Sequence, residues 1–170
     1  MMQAAKERQI ILDPACGSRM FYHDKNNPHV LFGDVRKAEF VAMDRGRARK
    51  IVIDPDVVLD FKNLPFVTGA FKIVTFDPPH LLRGGASSWL VKKYGKLPTN
   101  WEDDLRQGFA ECMRVLDFGG ILNFKWSEVD IPASKVIEIS GMKPVVWTKF
   151  PKAAGTHWIQ FVKGAEHVEL

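Results

Sequence analysis

A carboxylate, two consecutive prolines and an imidazole stand together at Asp77-Pro78-Pro79-His80, directly after the apolar run Phe71 to Phe76. Two prolines remove two backbone donors and fix two φ angles, so the run cannot continue as a central strand and must turn a rigid corner. Such a corner presents one carboxylate, unpaired carbonyls and a flat ring at a strand's carboxyl end, where open α/β sheets bind ligands. The carboxylate of Asp77 and the carbonyl of Pro78 can accept both hydrogens of an amino group, and the ring of His80 can stack on the base that carries it. Read without chemistry, the same four residues are a strand-ending turn.

A second candidate comes after the short apolar segment Gln9 to Leu12, which runs into Asp13-Pro14-Ala15-Cys16-Gly17-Ser18. A small, glycine-containing turn after a first strand lets backbone approach a bound ligand closely. Asp34 closes a second apolar run, His29 to Phe32, at about the twenty-residue separation expected of an acid that hydrogen-bonds a ribose; a plain surface turn is its alternative. Asp60-Phe61 closes a third run, Val57 to Leu59.

In this order the segments resemble the motifs of S-adenosylmethionine (SAM) methyltransferases. Asp77 to His80 resembles motif IV of the amino-methyltransferases: Asp, Asn or Ser, then Pro-Pro, then an aromatic residue or His. Asp13 to Ser18 resembles motif I in its Asp-Pro-x-x-Gly-Ser form, and Asp60-Phe61 resembles motif III. In detail the chain is similar to the small phage and prophage enzymes of the adenine-specific DNA type. Leu81, Trp89, the stretch Lys92-Lys93-Tyr94-Gly95-Lys96 and Phe124-Lys125-Trp126 share in that likeness.

The resemblance implies SAM as cofactor, held by Asp13, Pro14, Ala15, Cys16, Gly17, Asp34, Asp60 and Phe61. It implies transfer at Asp77, Pro78, Pro79 and His80 to the amino nitrogen of adenine in DNA. RNA bases are the alternative substrate, and a SAM-binding subunit without transfer, dependent on a partner, is the alternative of another class. His80 stands where Tyr or Phe is usual.

The elements that must position these groups alternate along the chain. Residues Glu39 to Met43 and Lys50 to Ile53 flank Asp44-Arg45-Gly46-Arg47 as a β-hairpin. Its Arg36, Lys37, Arg45, Arg47, Arg49 and Lys50 either meet phosphates or sit solvated. Phe71 to Phe76 is a strand. Leu105, Phe109, Cys112, Met113 and Leu116 recur at helical spacing from Trp101 to Leu116, behind Asn100 as N-cap. Asp117-Phe118-Gly119-Gly120 ends that helix. Ile121 to Trp126 is a strand, Ser134 to Ile139 a short helix, and Arg19 to Tyr22 a helical turn. Val145 to Thr148 and His157 to Val162 pair antiparallel across a turn at Pro151 to Gly155. The expected fold is an α/β three-layer sandwich of Rossmann-like methyltransferase type. It has about seven strands, mostly parallel, with an antiparallel C-terminal hairpin.

Leu81 to Asn100 reads as a basic, glycine-bearing loop. Arg83, Lys92, Lys93 and Lys96 suit phosphates, while Trp89 and Tyr94 either stack on bases or anchor the loop to the core. A formal net charge of +4 is compatible with a polyanion.

At 170 residues, with 46% hydrophobic and 26% charged residues, the chain suits a single globular domain, 1–170, with no separate target-recognition domain. Met1 to Arg8 is polar and no signal peptide is expected. No run approaches the ~20 apolar residues of a membrane span. Two cysteines, Cys16 and Cys112, make no disulfide framework, and His23, His29, His80, His157 and His167 show no ligand spacing, so no metal is expected. A reducing, cytoplasmic monomer or homodimer is the expectation.

Overall fold

The computed structural model describes residues 9–44, 46–85, 88–147 and 155–165. Met1 to Arg8, the hairpin residue Arg45, Thr148, most of the Pro151–Gly155 turn and His167 lie outside them. In chain order the elements are β1 (Ile11–Asp13), β2 (Val30–Asp34), β3 (Ala38–Asp44), β4 (Arg47–Ile53), β5 (Val57–Val58) and β6 (Phe71–Phe76). Then come α1 (Trp89–Tyr94), α2 (Trp101–Val115), β7 (Leu116–Ser127), α3 (Ala133–Ser140), β8 (Val146–Trp147) and β9 (Thr156–Val162).

Seven of the strands form one sheet, ordered β5-β2-β1-β6-β7-β9-β8, and β3 and β4 form a separate hairpin. Strands β5, β2, β1, β6 and β7 are parallel neighbours, and β9 runs antiparallel between β7 and β8. The chain builds outward from β1 to β2 and β5, then returns to lay β6 and β7 on the other side. The reversal between β1 and β6 opens a crevice at the strands' carboxyl ends. The expected strand content, hairpin and C-terminal antiparallel pair are all present.

The core lies between the sheet and α2 with α3. β7 alternates buried and partly exposed residues from Gly120 to Ser127, so Leu122, Phe124 and Trp126 all face the helices. Phe109 of α2 meets Phe76 edge-on at 5.7 Å, and Phe124 stacks on Trp126. Each such fully buried ring contributes roughly 1.5–3 kcal/mol. On the opposite face the covering layer is the segment 14–29: Cys16 and Tyr22 pack on Val30, Phe32 and Ile11.

Four local expectations differ from the structure. The segment at Arg19 to Tyr22 is an irregular turn, because Gly17 and Arg19 both adopt positive φ (50° and 53°) and no helix can propagate through them. Arg19 is held there by its side chain, which donates to the carbonyls of Lys25 and Asp54 at 2.7 Å and lies 3.9 Å from the Phe32 ring centre. Asp117 to Gly120 forms no loop after α2. β7 begins directly at Leu116, and these residues bulge out where the register shifts from Phe71–Leu116 to Ile73–Ile121. The basic segment after β6 contains α1. Asn100 does precede α2, but its side chain donates to Asp104 at 3.0 Å instead of capping the helix; Glu102, Asp103 and Asp104 complement the dipole.

Candidate active site

β1 and β6 end side by side, and the loops after the two strands form facing walls of one cavity, about 290 Å³. From the β1 side come Ala15, Cys16, Gly17, Ser18, Met20 and Phe21. From the β6 side come Asp77, Pro78 and His80, with Tyr94 and Lys93 of α1 above and Lys125 of β7 beside them. A second cleft of about 620 Å³ adjoins it, sharing Gly17, Ser18, Met20 and Lys93 and reaching Trp89 and the hairpin. The two proposed motifs thus meet, although 64 positions of numbering separate Asp13 from Asp77.

Asp77 is 17% exposed, and its Oδ2 accepts a 2.7 Å hydrogen bond from the Lys125 ammonium. Burial raises the Asp77 pKa above the usual carboxylate range, and the Lys125 charge opposes that rise. β6 and β7 pair Phe76 with Phe124, so the next residue of each strand, Asp77 and Lys125, are also neighbours. Among the described residues no N–H donates to the Pro78 carbonyl. Pro79 turns away from the cavity and packs against Gly95, where an added Cβ would lie 3.0 Å from Pro79 Cγ; φ of 80° also demands glycine there.

His80 is only 7% exposed, its ring 5.4 Å from Tyr94 and 6.2 Å from Trp126. Burial, and then the nearby Lys125, push its pKa down to about 4, so the imidazole is neutral at physiological pH. It therefore forms part of the cavity wall with Tyr94 as the neighbouring ring.

Asp13 and Pro14 lie beneath the β1 loop and do not line the cavity. Asp13 is fully buried and accepts from the Ala15 N–H at 3.1 Å. Its Oδ2 and the Tyr22 hydroxyl are buried without a hydrogen bond of regular geometry, though the hydroxyl is near enough to oppose the upward push of burial on the carboxyl. Asp34 braces the same loop: Oδ2 accepts from the Gly17 N–H at 2.9 Å, and Oδ1 from the Arg36 N–H at 2.9 Å and its Nε at 3.2 Å. Arg36 in turn lines the cavity. Asp60 and Phe61 stand farther out. Asp60 accepts from the Lys62 N–H, and Phe61 packs edge-on against Phe76.

The basic residues after the corner divide. Arg83 pairs with Asp130, which also accepts the Leu82 N–H, so this arginine pins the loop to the end of β7. Lys96 donates to the Gly84 carbonyl at 3.2 Å and closes the loop on itself. Trp89 packs on Ile51 and Ile53 of the hairpin as well as lining the second cleft. Lys93 lies 4.9 Å and 4.7 Å from the Trp89 and Tyr94 ring centres, and Lys92 is exposed.

Sequence reasoning gave no role in this cavity to Lys125 or Phe21, and read Arg36 as a phosphate contact or a solvated charge, whereas it pairs with Asp34 and lines the cavity. For Lys125 a signal existed: the one ammonium in the strand, between Phe124 and Trp126, at the step after the residue paired with Phe76. Phe21 depended on how the segment 14–29 folds back, and Arg36 on the Asp34 carboxylate that holds its side chain.

Among the described residues no helix is long and apolar enough to cross a membrane. No family model matches the chain, and no curated protein does. Solved structures do. The PH0226 protein from Pyrococcus horikoshii OT3 is 13% identical with a TM-score of 0.58, over 90% of this chain and 81% of that one. A TehB-like SAM-dependent methyltransferase from Corynebacterium glutamicum is 15% identical with a TM-score of 0.53, over 94% and 82% respectively. At such identities the likeness is one of architecture. The chain has the class I, Rossmann-like fold of SAM-dependent methyltransferases.

Proposed function

We propose that this protein transfers a methyl group from SAM to the exocyclic amino nitrogen of adenine in DNA. The observation that carries the reading is the shared cavity: the Asp77-Pro78 corner and the Ala15–Ser18 loop face one space at the sheet's switch point.

The residues fit that cofactor. Small residues at Ala15, Gly17 and Ser18 leave backbone open to a ligand, Arg36 offers a cation, and the cavity with its adjoining cleft reaches the size of cofactor sites. When bound there, SAM supplies an electrophilic sulfonium methyl. Asp34 and Asp13 serve the same loop from below by fixing the Gly17 and Ala15 amides. Asp34 is 3% exposed and lines neither cleft, so a ribose hydroxyl meets it only where the Arg36 side chain yields its place; Asp60 and Phe61 are assigned the adenine end.

At the acceptor, the amino nitrogen of adenine is a weak nucleophile because its lone pair is conjugated with the ring. Asp77 Oδ1 and the Pro78 carbonyl accept its two hydrogens, favouring a pyramidal nitrogen with its lone pair toward the methyl group. As the nitrogen–methyl bond formed and the sulfur–methyl bond broke, positive charge would develop on nitrogen; Asp77 would stabilise it from a fixed position and pass the released proton to solvent. Alignment of nitrogen, methyl and sulfur contributes much of the remainder. Lys125 lies against Asp77 and opposes the rise that burial imposes on its pKa, which favours the carboxylate form. Lys92 and Lys93 with the hairpin's Arg47 and Arg49 suit the phosphates of a strand whose base has been flipped out, at a cost of a few kcal/mol.

The test is incubation with methyl-labelled SAM and matched DNA and RNA, followed by nucleoside analysis. Methyladenine in DNA is expected. Asp77→Ala is expected to lose more than tenfold in turnover with SAM affinity unchanged within a few-fold. Label confined to RNA would move the assignment to RNA, and SAM binding without transfer to either would leave a cofactor-binding subunit.

A further inference from the structure

Lys125 is more than a counter-ion by placement. An ammonium carries three donors, and among the described residues its hydrogen bond is to Asp77 alone. The remaining N–H groups belong to a side chain that lines the acceptor cavity and is 20% exposed, its Nζ 5.5 Å from the Phe21 ring centre. The cavity therefore offers an ammonium donor and a carboxyl acceptor 2.7 Å apart, between walls that include the Phe21 and Tyr94 rings.

We infer that Asp77 and Lys125 together read an amidine edge: Asp77 takes an amino hydrogen while Lys125 donates to the unprotonated ring nitrogen one carbon away. The inference rests on the methyl-transfer reading and narrows its substrate class. Adenine presents this pattern at its amino group and N1, and cytosine at its amino group and N3. Guanine's amino group lies between a protonated N1 on the Watson–Crick edge and an unprotonated N3 on the sugar edge, so on the Watson–Crick edge two donors would face Lys125 and Asp77, and the ammonium would meet an N–H. The edge read is the Watson–Crick edge, which is accessible once the base leaves its pair. Lys125 is thus a specificity-determining residue of the acceptor site.

The test compares wild-type protein on oligonucleotides whose target base is adenine, 1-deazaadenine, 7-deazaadenine or guanine. Losing N1 is expected to lower kcat/KM about 10- to 100-fold, the worth of one charged hydrogen bond, while losing N7 changes it less than threefold and guanine is not methylated. In Lys125→Met the ratio of adenine to 1-deazaadenine is expected to fall toward one. The ratio is the readout because losing the ammonium also disfavours ionised Asp77, and because the variant's own ratio subtracts any change in amino nucleophilicity. Equal wild-type rates on adenine and 1-deazaadenine, or discrimination kept by Lys125→Met, would overturn the inference. Guanine methylated as fast as adenine would overturn it and leave methyl transfer standing. Should SAM bind without transfer, calorimetry with adenosine and 1-deazaadenosine decides, equal affinity overturning it. Absence of SAM binding would remove the functional reading and the inference together.

Discussion

Replacing Asp13 by Asn separates two roles that the β1 loop leaves entangled. Asp13 has no exposure, and burial raises its pKa to about 8, with Asp77 and Asp34 adding to the rise and the Ala15 N–H and Tyr22 hydroxyl opposing it. The folded value lies above the unfolded one, so the native state holds a proton that the unfolded chain releases above pH 4. The resulting stability is full below pH 4 and is lost as pH rises toward 8. At pH 7 the loss has a ceiling of about 4 kcal/mol. Asparagine cannot ionise, keeps an oxygen for the Ala15 N–H, and turns its amide toward the Tyr22 hydroxyl. The variant should therefore be more stable than wild type by about 1–3 kcal/mol near pH 7–8, raising Tm by roughly 2–4 °C per kcal/mol, and equal to it near pH 4. Urea denaturation followed by circular dichroism at pH 4, 6 and 8 measures this. A stability difference that does not vary with pH would refute the reasoning. The same variant should bind SAM within a few-fold of wild type, because Asp13 does not line the cavity. A tenfold loss would instead give Asp13 a direct contact with the cofactor's amine.

Asp34→Ala should weaken SAM binding by roughly 1–3 kcal/mol and also lower the melting temperature, since it strands the Gly17 N–H and frees Arg36; calorimetry showing unchanged affinity would move the ribose contact elsewhere. Neutralising Lys92 and Lys93 should flatten the slope of log affinity for DNA against log salt by about one for each phosphate left unpaired. Neutralising Arg83 and Lys96 should change it less, because those two are engaged within the loop; the reverse order would exchange their roles. His80→Phe should keep activity, and the wild-type rate should show no inflection near pH 6.5, because burial and Lys125 hold His80 neutral down to about pH 4. A histidine-dependent inflection near neutrality would make His80 a proton acceptor.

Local sequence determined whatever depends on neighbouring residues. Phe71 to Phe76 followed by two prolines is a strand that must end where it does, and the strand limits agree with the structure. The apolar period of Trp101 to Val115 sets a helix and its buried face. Asp44 to Arg47 gives a hairpin tip, and small residues after β1 give an open loop. The order of these segments implied the sheet and the meeting of its two motifs. Tertiary structure decided what each polar group does there. Asp13, Asp34 and Asp77 are three acids at or just beyond strand ends, alike in sequence. Packing makes the first a buried, proton-retaining brace, the second a clamp on Gly17 and Arg36, and the third a carboxyl facing the cavity against the Lys125 ammonium. The difference arises because burial, nearby charge and available donors come from Tyr22, Arg36 and Lys125, side chains whose positions depend on how strands and loops pack. The pairing of β6 with β7 brings Lys125 to Asp77, and no short-range pattern encodes that register.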